Sequence, residues 1–585
     1  MELDQNDDDE TAMKIDAEVA PISDQLSELA SKLQENPNNY DVHCALIRLL
    51  RQQGNIGPLR EARERMAEMF PLPPEVWLEW ISDEKSVVKV TDDAMKLLPL
   101  FHRASKDYLS ETVWLELAHF ARELLVRGAP ITVDEVREIF DESTQAIGSF
   151  VPQIWNEFIK FETRSIEELD SDSIQAKRIR RLYHRRLSSP LPESEKILEE
   201  YLDFEKSLKN SYVLTKAQQA AFDKATNDYE NRSSWEQKLA NCKPPEFPGL
   251  ASEDLLFIWD QYIRLEMKSK SSTPSRVRTL FERAVSQCFL SPQIWYSYIS
   301  YIETNLLRTS VPATVYSRAV RNISYDGTLW CGYLRALERG GATVDQLLKT
   351  CDRALSGALN GVDAYVELFL CKCDILRRAL GLGGSTSPNV CSEDELQSIR
   401  KIFIGAESVA LTQIDSCGKL YDLYSYWADF EGRCVGNFDN ARRAYEALVK
   451  HCSQKLNAWK EFISFERSHG TLNNCRSLFK KALHFLANDP FSLKEISDSW
   501  IRFERQSGTL QSFDEVYFAC EKRREQLQAR LVEAQQRQQQ QNVHAQEHRR
   551  AEQDEKANQK KRKSMEKRSP KKSHKPYKSQ VQGFQ

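Results

Sequence analysis

Glu162 closes the stretch WNEFIKFE, residues 155–162, on a helical face that otherwise reads as buried. A carboxylate held away from water is raw material for general acid or base catalysis, because burial raises its pKa toward neutrality. The same residue type recurs in matching surroundings at Glu84, Glu205, Glu266, Glu431 and Glu466, however, and catalytic acids do not recur along a chain in this way. A structural role follows for all of them. Cys371-Lys-Cys373 has no second Cys/His pair nearby and reads as core thiols on a helix rather than a metal site. The Gly run of GLGGSTSPN, 381–389, lacks the Lys-Ser/Thr of a phosphate loop and follows no strand, so it reads as a loop. The ten histidines form no His-Glu-x-x-His, and no nucleophile elbow occurs. No enzyme, metal or cofactor is expected.

The acids belong to a repeated octet with an aromatic at position 1, apolar or aromatic residues at positions 4 and 7, and Glu at position 8. Trp77, Trp155, Trp259 and Trp459 open clean copies ending at Glu84, Glu162, Glu266 and Glu466, with Asp83 as one exception at position 7. Tyr424 and Leu198 open copies with a different first residue. Trp295 and Trp330 open looser ones whose acid comes one residue late, at Glu303 and Glu338, and Trp114 opens one without the acid. Trp500 and Phe503 occupy positions 4 and 7 of a copy starting at Ser497, a weak copy starts at Tyr365, and a degenerate one lies near Cys44. Of the 11 tryptophans only Trp235 stands outside the pattern.

Each octet is followed by a second helical signature, as in RVRTLFERAV at 276–285, ARRAYEAL at 441–448 and CRSLFKKAL at 475–483, with Gly or Pro between. The unit is therefore helix A, turn, helix B, turn. Such pairs cannot bury their apolar faces alone, and the predicted fold is all-α: an α-solenoid of stacked pairs. At about 100° per residue, positions 1, 4, 7 and 8 fall near 0°, 300°, 240° and 340°, so the acid lies on the packed face and needs a cation. Helix B supplies candidates shortly downstream: Arg442 or Arg443 after Glu431, Arg476 after Glu466, Arg276 or Arg278 after Glu266. A Glu–Arg pair joining helix A to helix B within one repeat is expected.

The net charge of -5 hides an asymmetry: residues 522–585 carry 18 Lys+Arg against 7 Asp+Glu, leaving an acidic bulk. Thirteen scattered cysteines without Cys-x-x-Cys, and an acidic start MELDQNDDDE, indicate reduced thiols and no secretory signal. No apolar run approaches the roughly 18 residues that would span a bilayer. The expected organisation is an acidic disordered segment 1–22, a repeat block 23–206, a linker 207–250, a second block 251–520, a polar charged helix 521–559 and a disordered basic tail 560–585. In the polar helix Leu527, Leu531 and Val532 form the last apolar cluster, which predicts a solvated extension rather than a coiled coil. Lys560, Lys561, Arg562 and Lys563 have three readings: a nuclear localisation signal, nonspecific contact with nucleic acid, or solvated charge. Ser569-Pro570 lies within the cluster as a phosphorylation motif.

Trp-x-x-aromatic-x-x-aromatic-Glu followed by Arg-x-x-aromatic-x-Arg-Ala resembles the HAT (half-a-TPR) repeat family of RNA-processing scaffolds, over about residues 40–520. The arrangement of blocks and tail is most similar to the spliceosome recycling factors related to the squamous cell carcinoma antigen recognised by T cells 3. The resemblance implies a nuclear scaffold for splicing proteins and components of the U-four/U-six snRNP, and a homodimer formed through the C-terminal block. The alternatives are a 3′-end cleavage scaffold like the cleavage stimulation factor's HAT subunit, and RNA binding through the basic tail. No RNP-like aromatic motif occurs before Gln585, so snRNA binding through RNA-recognition domains is not expected of these residues.

Overall fold

The computed structural model describes residues 22–88, 94–164, 172–208, 214–243, 249–270, 272–307, 309–382, 391–414 and 417–566. The described residues are helical and contain no strand, as the octet periodicity requires. After a leading helix Ile22–Glu35, helices follow in A/B pairs: Tyr40–Gln53 with Ile56–Met69, Pro74–Val87 with Leu98–Asp107, Glu111–Val126 with Val133–Ile147, and Pro152–Thr163 with Ile174–Leu187. Next come Ser194–Ser207 with Lys216–Asn241, Glu253–Lys268 with Pro274–Gln287, Pro292–Leu306 with Val311–Asn322, and Gly327–Arg339 with Val344–Leu355. Val362–Ala379 and Glu393–Thr412 follow in the chain, and the last three pairs are Leu420–Asp429 with Phe438–His451, Leu456–His469 with Leu472–Phe485, and Pro490–Ser507 with Leu510–Glu566.

Local chemistry marks the boundaries. Pro74, Pro152, Pro292 and Pro490 stand at helix starts, where a missing N–H costs nothing. Thr132, Thr215, Thr343 and Ser392 open helices with capping boxes closed by Glu135, Gln218, Gln346 and Glu395. The helix from Leu420 ends in a π turn, Phe430–Val435, stopped by Gly436 at φ 77°.

Two compact units divide the chain, Met1–Leu376 and Arg377–Gln585. Residues 207–250, expected as a linker or insertion that begins as a helix, hold the 26-residue helix Lys216–Asn241, which serves as the B helix of the fifth pair. Within the first unit a polar joint ties pairs far apart in sequence. Buried Asp107 accepts from the Leu72 N–H at 2.9 Å, the Trp77 indole at 3.0 Å and Arg321 at 2.8 Å. Arg321 also donates to the Ala67 carbonyl at 3.0 Å, and the Tyr108 hydroxyl donates to Asn322 at 2.7 Å. The final helix runs 57 residues, through Lys560–Lys563 to Glu566, past the disordered boundary expected at 559. Leu527 is buried on it and Leu531 and Val532 are exposed. The expected disordered segment 1–22 lies, apart from the backbone of Ile22, outside the described residues, as do residues 567–585 with Ser569-Pro570. No described helix is long and apolar enough to cross a membrane.

Candidate interaction scaffold

Every glutamate at position 8 of an octet is buried, in the clean copies and in those opened by Leu198, Tyr424 and Ser497 alike. Glu84, Glu162, Glu205, Glu266, Glu431, Glu466 and Glu504 are each at most 7 % exposed. Each meets an arginine, and in every case the arginine belongs to the B helix of the preceding pair. Arg137 donates to Glu162 through Nε at 2.7 Å and through a terminal nitrogen at 3.1 Å. Arg60–Glu84, Arg180–Glu205, Arg232–Glu266, Arg400–Glu431 and Arg476–Glu504 repeat this two-point geometry. Arg442 reaches Glu466 through Nε alone, at 2.6 Å, and Asn474 supplies the second donor at 2.9 Å. Two-point guanidinium–carboxylate bonding fixes orientation as well as charge. The Arg60 guanidinium holds the Glu84 carboxyl below its ordinary value against the opposing effect of burial, and Arg476 does the same to Glu504.

The pairing corrects the expectation of a clamp within one repeat. Arg442 follows Glu431 but holds Glu466, and Arg476 follows Glu466 but holds Glu504. The reason is angular. Positions 4, 7 and 8 share one arc of helix A, and that arc faces the preceding pair, so the acid goes with the rings beside it.

Those rings show the same direction. Three residues after the clamp arginine, one B-helix aromatic packs on positions 4 and 7 of the next A helix. Phe140 lies 4.9 Å from Phe158 and 5.3 Å from Phe161 between ring centroids. Tyr183 packs likewise on Tyr201 and Phe204, Phe403 on Trp427 and Phe430, Tyr445 on Phe462 and Phe465, and Phe479 on Trp500 and Phe503. Trp235, the tryptophan outside the octets, is such an aromatic: it follows Arg232 and stacks on Tyr262. Departures are compensated. Asp83 at position 7 meets Arg63, which stands in the aromatic's place and bonds it at 2.6 Å. Where Ala121 replaces the acid, Leu98 replaces the arginine, and Leu337 is matched by Ala313.

Position 1 serves the turn and its own pair. Trp155, Trp295, Trp330 and Trp459 each donate the indole N–H at 2.8 Å to a carbonyl just upstream, at Gly148, Phe289, Ser324 and Ser453. Trp77 donates to Asp107, and Trp259 to Gln287 at 3.1 Å, while Trp114 is buried with its indole nitrogen unpartnered. The Arg of the Arg-Ala signature then lies over the tryptophan of its own pair: Arg103 on Trp77, Arg283 on Trp259, Arg318 on Trp295 and Arg353 on Trp330.

Trp77, Trp114, Trp155, Trp259, Trp295, Trp330 and Trp459 are buried with the acids, and the arginines that hold Glu84, Glu162, Glu205, Glu266 and Glu431, namely Arg60, Arg137, Arg180, Arg232 and Arg400, were not among the expected partners. The signal was present as Arg-x-x-aromatic upstream of each acid except Glu84, where Arg63 replaces the aromatic. Cys371 and Cys373 are buried on Val362–Ala379, as expected of core thiols. The four residues Lys560–Lys563 have helical backbone, and their side chains lie outside the described residues. The loop 381–389 is described only at Gly381 and Leu382. A lattice of ion pairs and stacked rings joins successive helix pairs. It holds successive pairs in fixed register.

Residues 24–358 match the family model described as Suppressor of forked protein (Suf). The mouse protein named spliceosome associated factor 3, U4/U6 recycling protein, is 29% identical over 499 residues, 84% of this chain and 48% of that protein. The fission yeast mRNA 3′-end-processing protein rna14 (Schizosaccharomyces pombe) is 23% identical over 526 residues, 83% of this chain and 69% of its own length. The crystal structure of CSTF-77 superposes with a TM-score of 0.36 at 14% identity, covering 76% of this chain and 88% of that one. The chain spans about half the length of the spliceosome-associated relatives it matches.

Proposed function

From a chain that belongs to the Suppressor of forked (Suf) family, we propose a non-enzymatic nuclear scaffold for RNA processing, acting in pre-mRNA splicing at the assembly or recycling of the U-four/U-six snRNP. The observation that carries this reading is the similarity along 84% of the chain to a protein named for U4/U6 recycling. The clamped interfaces supply the rigid support that a docking surface needs. The C-terminal repeat block, residues 251–520, forms a homodimer, and Lys560, Lys561, Arg562 and Lys563 are the nuclear address. Affinity purification of the full chain from nuclear extract tests the reading. Recovery of U4 and U6 snRNAs with splicing proteins is expected; their absence would overturn it.

A second reading, 3′-end cleavage, is favoured by the similarity to rna14 over 83% of the chain. Recovery of cleavage factors without snRNAs would establish it in place of the first.

A further inference from the structure

The repeat code ends with a helix that has no following partner among the described residues. The last two B helices align from Thr471-Leu472 and Thr509-Leu510. Cys475, Leu478 and Ala482 of the first correspond to Phe513, Val516 and Cys520 of the second, and Val516 and Cys520 are buried like their counterparts. The residues that face the next pair behave differently. Phe479 is 2 % exposed between Trp500 and Phe503, whereas its counterpart Tyr517 is 43 % exposed and its neighbour Phe518 68 %. The clamp arginine Arg476 corresponds to Asp514, which is exposed and forms no ion pair among the described residues. Instead of turning back into another A helix, this helix continues to Glu566.

An aromatic platform beside an acid is the established interface with its charge inverted. A position-8 cation facing an acid already occurs in the chain: Lys372, at position 8 of the copy opened by Tyr365, bonds Asp352 of the preceding B helix at 2.5 Å, four residues beyond the clamp position, which Leu348 occupies. We propose that the open face of Leu510–Glu566, formed by Leu510, Asp514, Tyr517 and Phe518, docks a helix of a partner protein. That helix presents aromatic or apolar residues at octet positions 4 and 7 and a lysine or arginine at position 8. Charge selects the occupant. The acids at position 8 of this chain's own clean copies would oppose Asp514 and are buried in clamps, and Lys372 is paired and 17% exposed, so a second copy offers no free complementary helix. The assignment rests on the scaffold reading, of which it names one partner chemistry.

The probe is a labelled peptide of residues 456–469 carrying Glu466→Lys, compared with the unchanged peptide by fluorescence anisotropy on the full chain. The lysine peptide is expected to bind about fivefold tighter or more, Asp514→Arg to reverse that preference, and Tyr517→Ala to weaken both about tenfold. Both substitutions lie on an exposed face, and an unchanged melting curve confirms that the variants are folded. Absence of saturable binding, or a preference that Asp514→Arg leaves unmoved, overturns the proposal. So does a dimer that Tyr517→Ala dissolves and the peptide cannot displace, which would make a second copy the occupant. Recovery of snRNAs by the full chain does not depend on these peptides, so the scaffold reading and this one can fail separately.

Discussion

Replacing Glu466 should be felt at Arg442, 24 residues upstream on the preceding helix pair, and hardly at Arg476, its nearer candidate downstream. Glu466 is 1 % exposed and accepts from Arg442 at 2.6 Å and Asn474 at 2.9 Å. Removing one partner of a buried ion pair costs about 3–5 kcal/mol, most of it the desolvation of the stranded charge. Arg442 is 28% exposed and keeps Asp439 at 3.1 Å, which brings the expected loss for Glu466→Gln below that range, to about 2–3 kcal/mol. A double-mutant cycle separates the pairs. Glu466→Gln with Arg442→Met should show a coupling of about 2 kcal/mol, and Glu466→Gln with Arg476→Met below about 0.5 kcal/mol. Glu504→Gln with Arg476→Met should again give about 2 kcal/mol or more, since both oxygens of that acid are held by the arginine. All four positions belong to the unit Arg377–Gln585, so urea unfolding followed by helix ellipticity reads one transition for every variant. A Glu466–Arg476 coupling as large as Glu466–Arg442 would refute the clamp between successive pairs.

Gly470→Ala should destabilise the same unit by about 1–3 kcal/mol, read as a lowered melting temperature, because an added Cβ would fall 1.8 Å from a pinned Glu466 oxygen. Gly508→Ala should act alike at Glu504, where the approach is 2.3 Å. The depressed carboxyls of Glu84 and Glu504 contribute stability that is fully present above the ordinary value of 4.5 and is lost as pH falls through their lower folded values. Acid titration of ellipticity should therefore show a loss below that point, and Glu84→Gln with Glu504→Gln should flatten it. Trp155→Phe should cost about 1–2 kcal/mol in urea unfolding, since it removes the indole bond to Gly148 and weakens the stacking of Arg185.

The solenoid was legible because its buried residues obey a period. Trp155, Phe158, Phe161 and Glu162 recur as a set, and their burial could be read from helical angles alone. The direction of the clamp was not legible from chain distance, since Arg476 and Arg442 both flank Glu466 and a helix in isolation does not say which neighbour its arc faces. Glu162 held the discriminating evidence: no arginine or lysine lies between Asp170 and Ala176, at the distance Arg476 stands from Glu466, while Arg137-x-x-Phe140 stands upstream. The coordinated absence at Leu98 and Ala121 pointed the same way. The joint at Asp107 left no trace in the sequence. Its members, Leu72, Trp77 and Arg321, share no period, and only the packed chain brings them together.

That joint bears on how the protein can be divided. The polar stretch 207–250 invites a cut, and a cut there would separate Arg321 from the Ala67 and Phe70 carbonyls and from Asp107. Each half would then expose a surface built for the other, with a buried carboxylate on one side and an orphaned guanidinium on the other. Fragments ending near residue 206 would report on an open edge that the whole chain never presents, and a partner captured by such a fragment would be binding a wound rather than a site.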